Sequence, residues 1–108
     1  MGKYKHTLKE PLCTYSIELK EVYFSNDWIM VCNGFITVKS GYSWDGCTFA
    51  PDTIETYIAS CVHDACYQFK IDKSKSDLAF YDLLKQNKFP FAKFYYLSVR
   101  LFGFLFYW

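Results

Sequence analysis

The sequence predicts an α+β domain, with a small antiparallel sheet first and three helices after it. Two observations carry that prediction. Short apolar or β-branched runs, separated by turn formers, fill the first ~40 residues in the manner of strands. From about Thr53 onward, apolar residues recur every three to four positions, the period of a helix. With 108 residues the chain is expected to form one domain, β-rich over about 1–44 and helical over about 52–108.

The segments justify this in order. Residues 12–19 (LCTYSIEL) partly alternate, and residues 27–32 (DWIMVC) and 35–38 (FITV) are short apolar runs. Ser25-Asn26-Asp27 and Asn33-Gly34 separate them, and Asn-Gly between two such runs predicts a hairpin. The stretch GYSWDGCTFAPD, broken by Gly41, Gly46 and Pro51, reads as a loop. Asp52, three residues before Glu55, resembles a capping box. Ile54, Ile58, Cys61, Val62, Ala65, Cys66 and Phe69 then follow at helical spacing, giving a first helix from about Thr53 to Lys70. A second is expected from Ser74 to Asn87, ahead of Pro90, and a third from Phe91 to the end.

Twelve basic side chains against eleven acidic ones leave a net charge of +1. No basic stripe interleaved with aromatics is present, so nucleic acid is not an expected partner. The N-terminal MGKYKHTLKEPLC holds no apolar stretch long enough for a signal peptide. Five cysteines are an odd number without a CxxC pair, which fits a reducing compartment better than a disulfide framework. The expected location is a cytoplasm, that of a host cell or virion-associated.

Three features carry chemistry. His63 lies at the margin of the first helix's apolar stripe, half-way between core and solvent, where an imidazole can act as a base. Asp64 borders the same place from about 100° away. Asp77 shares a face with Phe80, Tyr81 and Leu84, so a carboxylate lies on an apolar stripe and needs a partner. Either it serves the helix N-terminus, where the dipole favours it, or it faces His63 and orients the ring. Periodicity leaves these two even. Asp45-Gly46 offers a carboxylate and an exposed carbonyl together, oxygen donors of the kind calcium takes. A zinc site from Cys61, His63 and Cys66 is disfavoured, since positions 61 and 63 point about 200° apart on a helix.

CVHDACY resembles the His-Asp-x-x-Tyr helix signature of secreted phospholipases A2. WDGCTFAPD, HDACY, DKSKSDLAFYDLL and AKFYYLSVRLFG resemble their small bacterial and fungal branch, in the same order, over roughly residues 42–103. The chain also resembles a phage-associated domain family of unknown function with a W-D-G loop, an H-D-x-x-Y helix and a terminal V-R-x-F-G. The first resemblance implies that His63 is the general base and Asp77 the aspartate that orients it, steadied by Tyr67. It implies Asp64, Asp45 and Gly46 as calcium ligands, and hydrolysis of a glycerophospholipid ester. The chain departs from that family in its cysteines: Ser76 stands where a partner for Cys66 is common.

The rival expectation is a non-catalytic phage structural or interaction protein that keeps this fold. The C-terminal segment bears on partners. Up to Gly103 it is expected to be a core helix. The last five residues, FLFYW, suit a phospholipid membrane surface, a viral partner or self-association equally.

Overall fold

The computed structural model describes residues 6–44 and 53–102, and its fold is α+β. Two antiparallel sheets come first. The smaller pairs β1 (His6–Thr7) with β6 (Ser43–Trp44). The larger has the order β2-β5-β4-β3, built from β2 (Leu12–Tyr15), β3 (Phe24–Ser25), β4 (Ile29–Cys32) and β5 (Phe35–Val38). Three helices follow: α1 (Tyr57–Gln68), α2 (Lys73–Gln86) and α3 (Ala92–Phe102).

The β4–β5 hairpin forms where Asn-Gly placed it. Cys32 pairs with Phe35, leaving Asn33 and Gly34 as a two-residue loop with φ of 52° and 86°. Two consecutive positive φ values make a type I′ turn, whose twist matches the strands it joins. Gly34 is required twice over, because a Cβ there would lie 2.7 Å from Tyr15 Cε1. Period-two alternation then sorts the larger sheet. Leu12, Ile29, Val31, Ile36 and Val38 are buried, while Met30 and Phe35 face outward.

Two strands are shorter than expected, and local side chains explain both. The 12–19 run stops at Tyr15 because Ser16 turns the chain: its Oγ accepts from the Glu18 N–H at 3.3 Å and opens a 3₁₀ turn at Ile17–Leu19. The 27–32 run begins only at Ile29, since Asn26 Oδ1 accepts from the N–H groups of Trp28 (2.7 Å) and Ile29 (2.9 Å). Such side-chain bonds compete with a ladder and win at chain reversals. Ser16 also donates to Asp82 Oδ2 on α2 at 2.8 Å, and Gln86 Nε2 donates to the Tyr15 carbonyl at 2.9 Å. These bonds moor the sheet to the helices.

The first helix also starts later than expected. Ile54–Thr56 is a 3₁₀ turn, and α1 proper begins at Tyr57. Thr56 Oγ1 bonds back to Thr53, accepting from its N–H (3.0 Å) and donating to its carbonyl (2.9 Å), so it gives α1 no side-chain cap. The capping box expected from Asp52 lies outside the described residues. The second helix starts one residue earlier than read. Its cap is Asp72, whose side chain accepts from the Lys75 N–H at 2.9 Å.

Both α1 and α2 end in the same way. Ile71 N–H bonds the Cys66 carbonyl and Lys70 N–H that of Tyr67; Phe89 N–H bonds the Leu84 carbonyl and Lys88 N–H that of Lys85. These are Schellman motifs, with Lys70 (φ 60°) and Lys88 (φ 58°) in the left-handed position that glycine normally fills. A Cβ there costs about 1–2 kcal/mol, against ~0.5–1 kcal/mol of extra chain entropy lost by glycine. Lys70→Gly and Lys88→Gly are each expected to stabilise the fold by roughly 0.5–1 kcal/mol, raising Tm by about 3–6 °C in thermal denaturation followed by circular dichroism. A fall in Tm for both would refute that assignment.

The core joins sheet and helices in one cluster: Leu19, Ile29, Val31, Ile36 and Val38 from the β half, with Trp44, Val62, Ala65, Leu83 and Leu84. Trp44 is fully buried on β6, and its indole N–H donates to Ser60 Oγ at 3.0 Å, which fixes the start of α1 against the small sheet. The short α1–α2 link brings two helices side by side with His63 and Asp77 on facing sides.

Candidate functional site

Asp77 is the centre of the site. It occupies the first turns of α2, on the stripe with Phe80 and Leu84, and its side chain is 0% exposed. Four donors converge on it. Oδ1 lies 2.8 Å from His63 Nε2 and accepts from the Tyr67 hydroxyl at 2.5 Å. Oδ2 accepts from Lys73 Nζ and from an Arg100 guanidinium N–H, each at 2.9 Å. Each of the three helices therefore contributes a side chain to one carboxylate. Of the two readings that periodicity left even, the geometry has Asp77 facing His63.

Burial by itself would raise the Asp77 pKa. The hydrogen bonds from His63, Tyr67 and Lys73 outweigh it and hold the carboxyl below its ordinary value of 3.8. An ionised carboxylate only accepts, so His63 Nε2 is the donor, and in the neutral form of the ring the lone pair is then the one on Nδ1. Two rings pack against the imidazole, its centroid 4.1 Å from the Tyr67 ring and 4.6 Å from that of Phe80. Its side chain remains 12% exposed. The result is a slightly exposed imidazole oriented by a carboxylate and by two packed rings.

Asp64, next along α1, is half-buried, and its Oδ2 accepts from the Tyr42 hydroxyl at 2.5 Å. The Gln68 side-chain oxygen lies 3.0 Å from the same hydroxyl. Desolvation first, then the Asp64 charge, push the Tyr42 phenol well above its ordinary range, so it stays a neutral donor. Beside this pair a groove of about 210 Å³ is lined by Trp28, Gly41, Tyr42, Ser43 and Gln68.

The expected metal ligands divide. Asp64 is placed one residue from His63, whereas Asp45 and Gly46 lie outside the described residues. Among the described residues, no three His, Cys, Asp or Glu side chains are grouped to hold a metal ion. Asp64 offers hard oxygen donors of the type calcium accepts, so the chemistry of this one ligand fits.

Three partners in this site escaped sequence reasoning. Lys73 carried a signal, standing four residues before Asp77 on one helix face. Arg100 carried one too, as a cation inside an apolar segment. Tyr42 carried none, since its meeting with Asp64 depends on the sheet's position.

Cys61 and Cys66 on α1 are buried free thiols, and Cys13 on β2, away in the sheet, is a free and exposed one. Burial, with a contribution from Asp64, pushes Cys61 up to about 12. Burial does the same to Cys66, about 12, although a hydrogen bond with Ser76 opposes it. Ser76 thus does face Cys66. Thiolates are the reactive species, so an alkylating reagent at pH 8 is expected to modify Cys13 while sparing Cys61 and Cys66, read by peptide mass spectrometry. Their raised values favour the folded state fully below the unfolded thiol pKa of 9.0 and lose that contribution as pH rises toward 12. Fast labelling of Cys66 in the folded protein at pH 8 would contradict this.

No family model, no curated protein and no solved structure matches the chain. The functional reading therefore rests on the site itself and on short ordered motifs.

Proposed function

We propose that the chain is a calcium-dependent, phospholipase A2-like hydrolase that cleaves a glycerophospholipid ester. The observation supporting this best is the His63–Asp77 pair: an imidazole at the solvent margin, bonded through Nε2 to a fully buried, ionised carboxylate. In this reading Nδ1 of His63 takes a proton from water, and the water oxygen attacks the ester carbonyl. The tetrahedral intermediate collapses by expelling the lysophospholipid alkoxide, which recovers the proton from His63. Asp77 stabilises the imidazolium between those steps and prevents the ring from turning. Tyr67 holds Asp77 Oδ1 in the plane that His63 needs, while Lys73 and Arg100 keep the carboxylate ionised. Calcium, when bound through Asp64 with Asp45 and Gly46, would supply Lewis-acid polarisation of the carbonyl and charge compensation for the phosphate.

A second reading, a non-catalytic phage structural or interaction protein, is favoured by one observation: Tyr42 already occupies Asp64 Oδ2. The test is fatty-acid release from mixed phospholipid vesicles, with calcium or with chelator, for the wild type and for His63→Ala. Calcium-dependent release lost in the variant supports the hydrolase. No release from folded protein with calcium present would leave the second reading.

A further inference from the structure

The outward side of α3 does not match a helix that faces water. Ala92, Tyr95 and Val99 are buried and make its core face. At 100° per residue, Phe94, Leu97 and Leu101 gather on the opposite pole, where charged side chains are usual. They are 64%, 48% and 65% exposed. The expectation of a core helix thus holds for one face of α3 and fails for the other.

Charge indicates what covers this pole. Asp82 is the last acidic residue of the chain, and beyond it stand Lys85, Lys88, Lys93 and Arg100. Of these four, Arg100 is taken up by Asp77 and Lys85 lies over the Tyr81 ring, which leaves Lys88, just before α3, and Lys93, within it, as the cations beside the exposed apolar ridge in the chain. Lys88 and Lys93 are both exposed. A ridge of Phe and Leu rimmed by lysines is complementary to an anionic bilayer, into whose interface the apolar side chains sink while the cations meet headgroups. No helix among the described residues is long and apolar enough to cross a membrane.

We propose that the outward pole of α3, with Phe94, Leu97 and Leu101 at its centre and Lys88 and Lys93 at its rim, docks the protein on an anionic lipid surface. This deepens the reading of a lipid substrate, and it names the face that meets the aggregate. Arg100, one residue before Leu101, holds Asp77. The docking helix is therefore the one that also closes the His63–Asp77 pair.

The experiment is flotation with phosphatidylcholine vesicles, with or without phosphatidylserine, using His63→Ala protein and chelator so that no hydrolysis is involved. Failure of docking and failure of hydrolysis are then separate results. Flotation with the anionic vesicles, weakened by added salt and reduced at least tenfold by Phe94→Ser/Leu97→Ser/Leu101→Ser, is expected. Lys88→Gln/Lys93→Gln, which leaves the ridge intact, is expected to weaken it several-fold and serves if the triple variant does not fold. Absence of flotation, equal flotation without phosphatidylserine, or retention in both variants would overturn the proposal. So would a dimer in light scattering that the triple variant dissolves, which would assign the ridge to a second copy of the chain.

Discussion

Asp77→Asn is expected to destabilise the fold by about 3 kcal/mol at pH 7, within the range for breaking a buried ion pair. Four donors lose their anion together, but not equally. Lys73 and Arg100 are 22% and 37% exposed and can swing toward water, so their share is small. Tyr67 is buried and His63 nearly so; neither can leave, and an asparagine whose Oδ1 accepts from both offers them only a neutral amide and turns its NH₂ toward Lys73 and Arg100. Arg100→Met, by contrast, leaves Asp77 with three donors and is expected to cost under ~1 kcal/mol. The pH dependence gives the sign. The folded carboxyl lies below its ordinary 3.8, so its contribution is present above that value and is lost as pH falls through the lower folded value. Urea denaturation of wild type and Asp77→Asn should differ at pH 7 and converge only as pH falls below 3.8 and through the lower folded value. Equal stability at pH 7 would mean that the four bonds contribute nothing net.

His63→Ala is expected to lower calcium-dependent fatty-acid release by about 10³-fold, inside the range of general-base contributions, with vesicle binding unchanged. The size follows from what is removed: the proton acceptor, and with it the group through which Asp77 acts. His63→Gln fills the same space without a basic nitrogen, and its loss should be equally large. A variant that kept a tenth of the wild-type rate would mean that water is activated elsewhere. Thermal denaturation belongs beside the rate measurement, since the ring also packs on Phe80 and its removal leaves Asp77 one donor short.

The parts of the fold that could be read from residues share a physical trait: each is decided locally. Asn33-Gly34 needs only two positive φ values, and the helical stripes of α1 and α2 need only their own spacing. Asp77 could be singled out because a carboxylate among Phe80, Tyr81 and Leu84 conflicts with its surroundings, and such a conflict demands a partner. Which partners it finds is a matter of packing. Arg100 reaches it from 23 residues away, and that approach depends on how α3 lies across α2. Spacing does not reveal the strand ends at Ser16 and Asn26, where one side-chain oxygen outcompetes a ladder bond. The start of α1 is hidden for the same reason at Thr56.

The hairpin tip also gives this protein a chemical clock. In an Asn-Gly step the glycine nitrogen is unhindered, and its attack on the asparagine side-chain carbonyl expels ammonia and gives a succinimide that water opens to aspartate or isoaspartate. The usual remedy, replacing the glycine, is closed, because Gly34 has no room for a methyl group beside Tyr15. Ageing in storage is therefore expected to begin at Asn33, adding one negative charge to the β4–β5 turn. A protective change has to be made at Asn33 itself, where aspartate tolerates the left-handed backbone and starts from the deamidated charge.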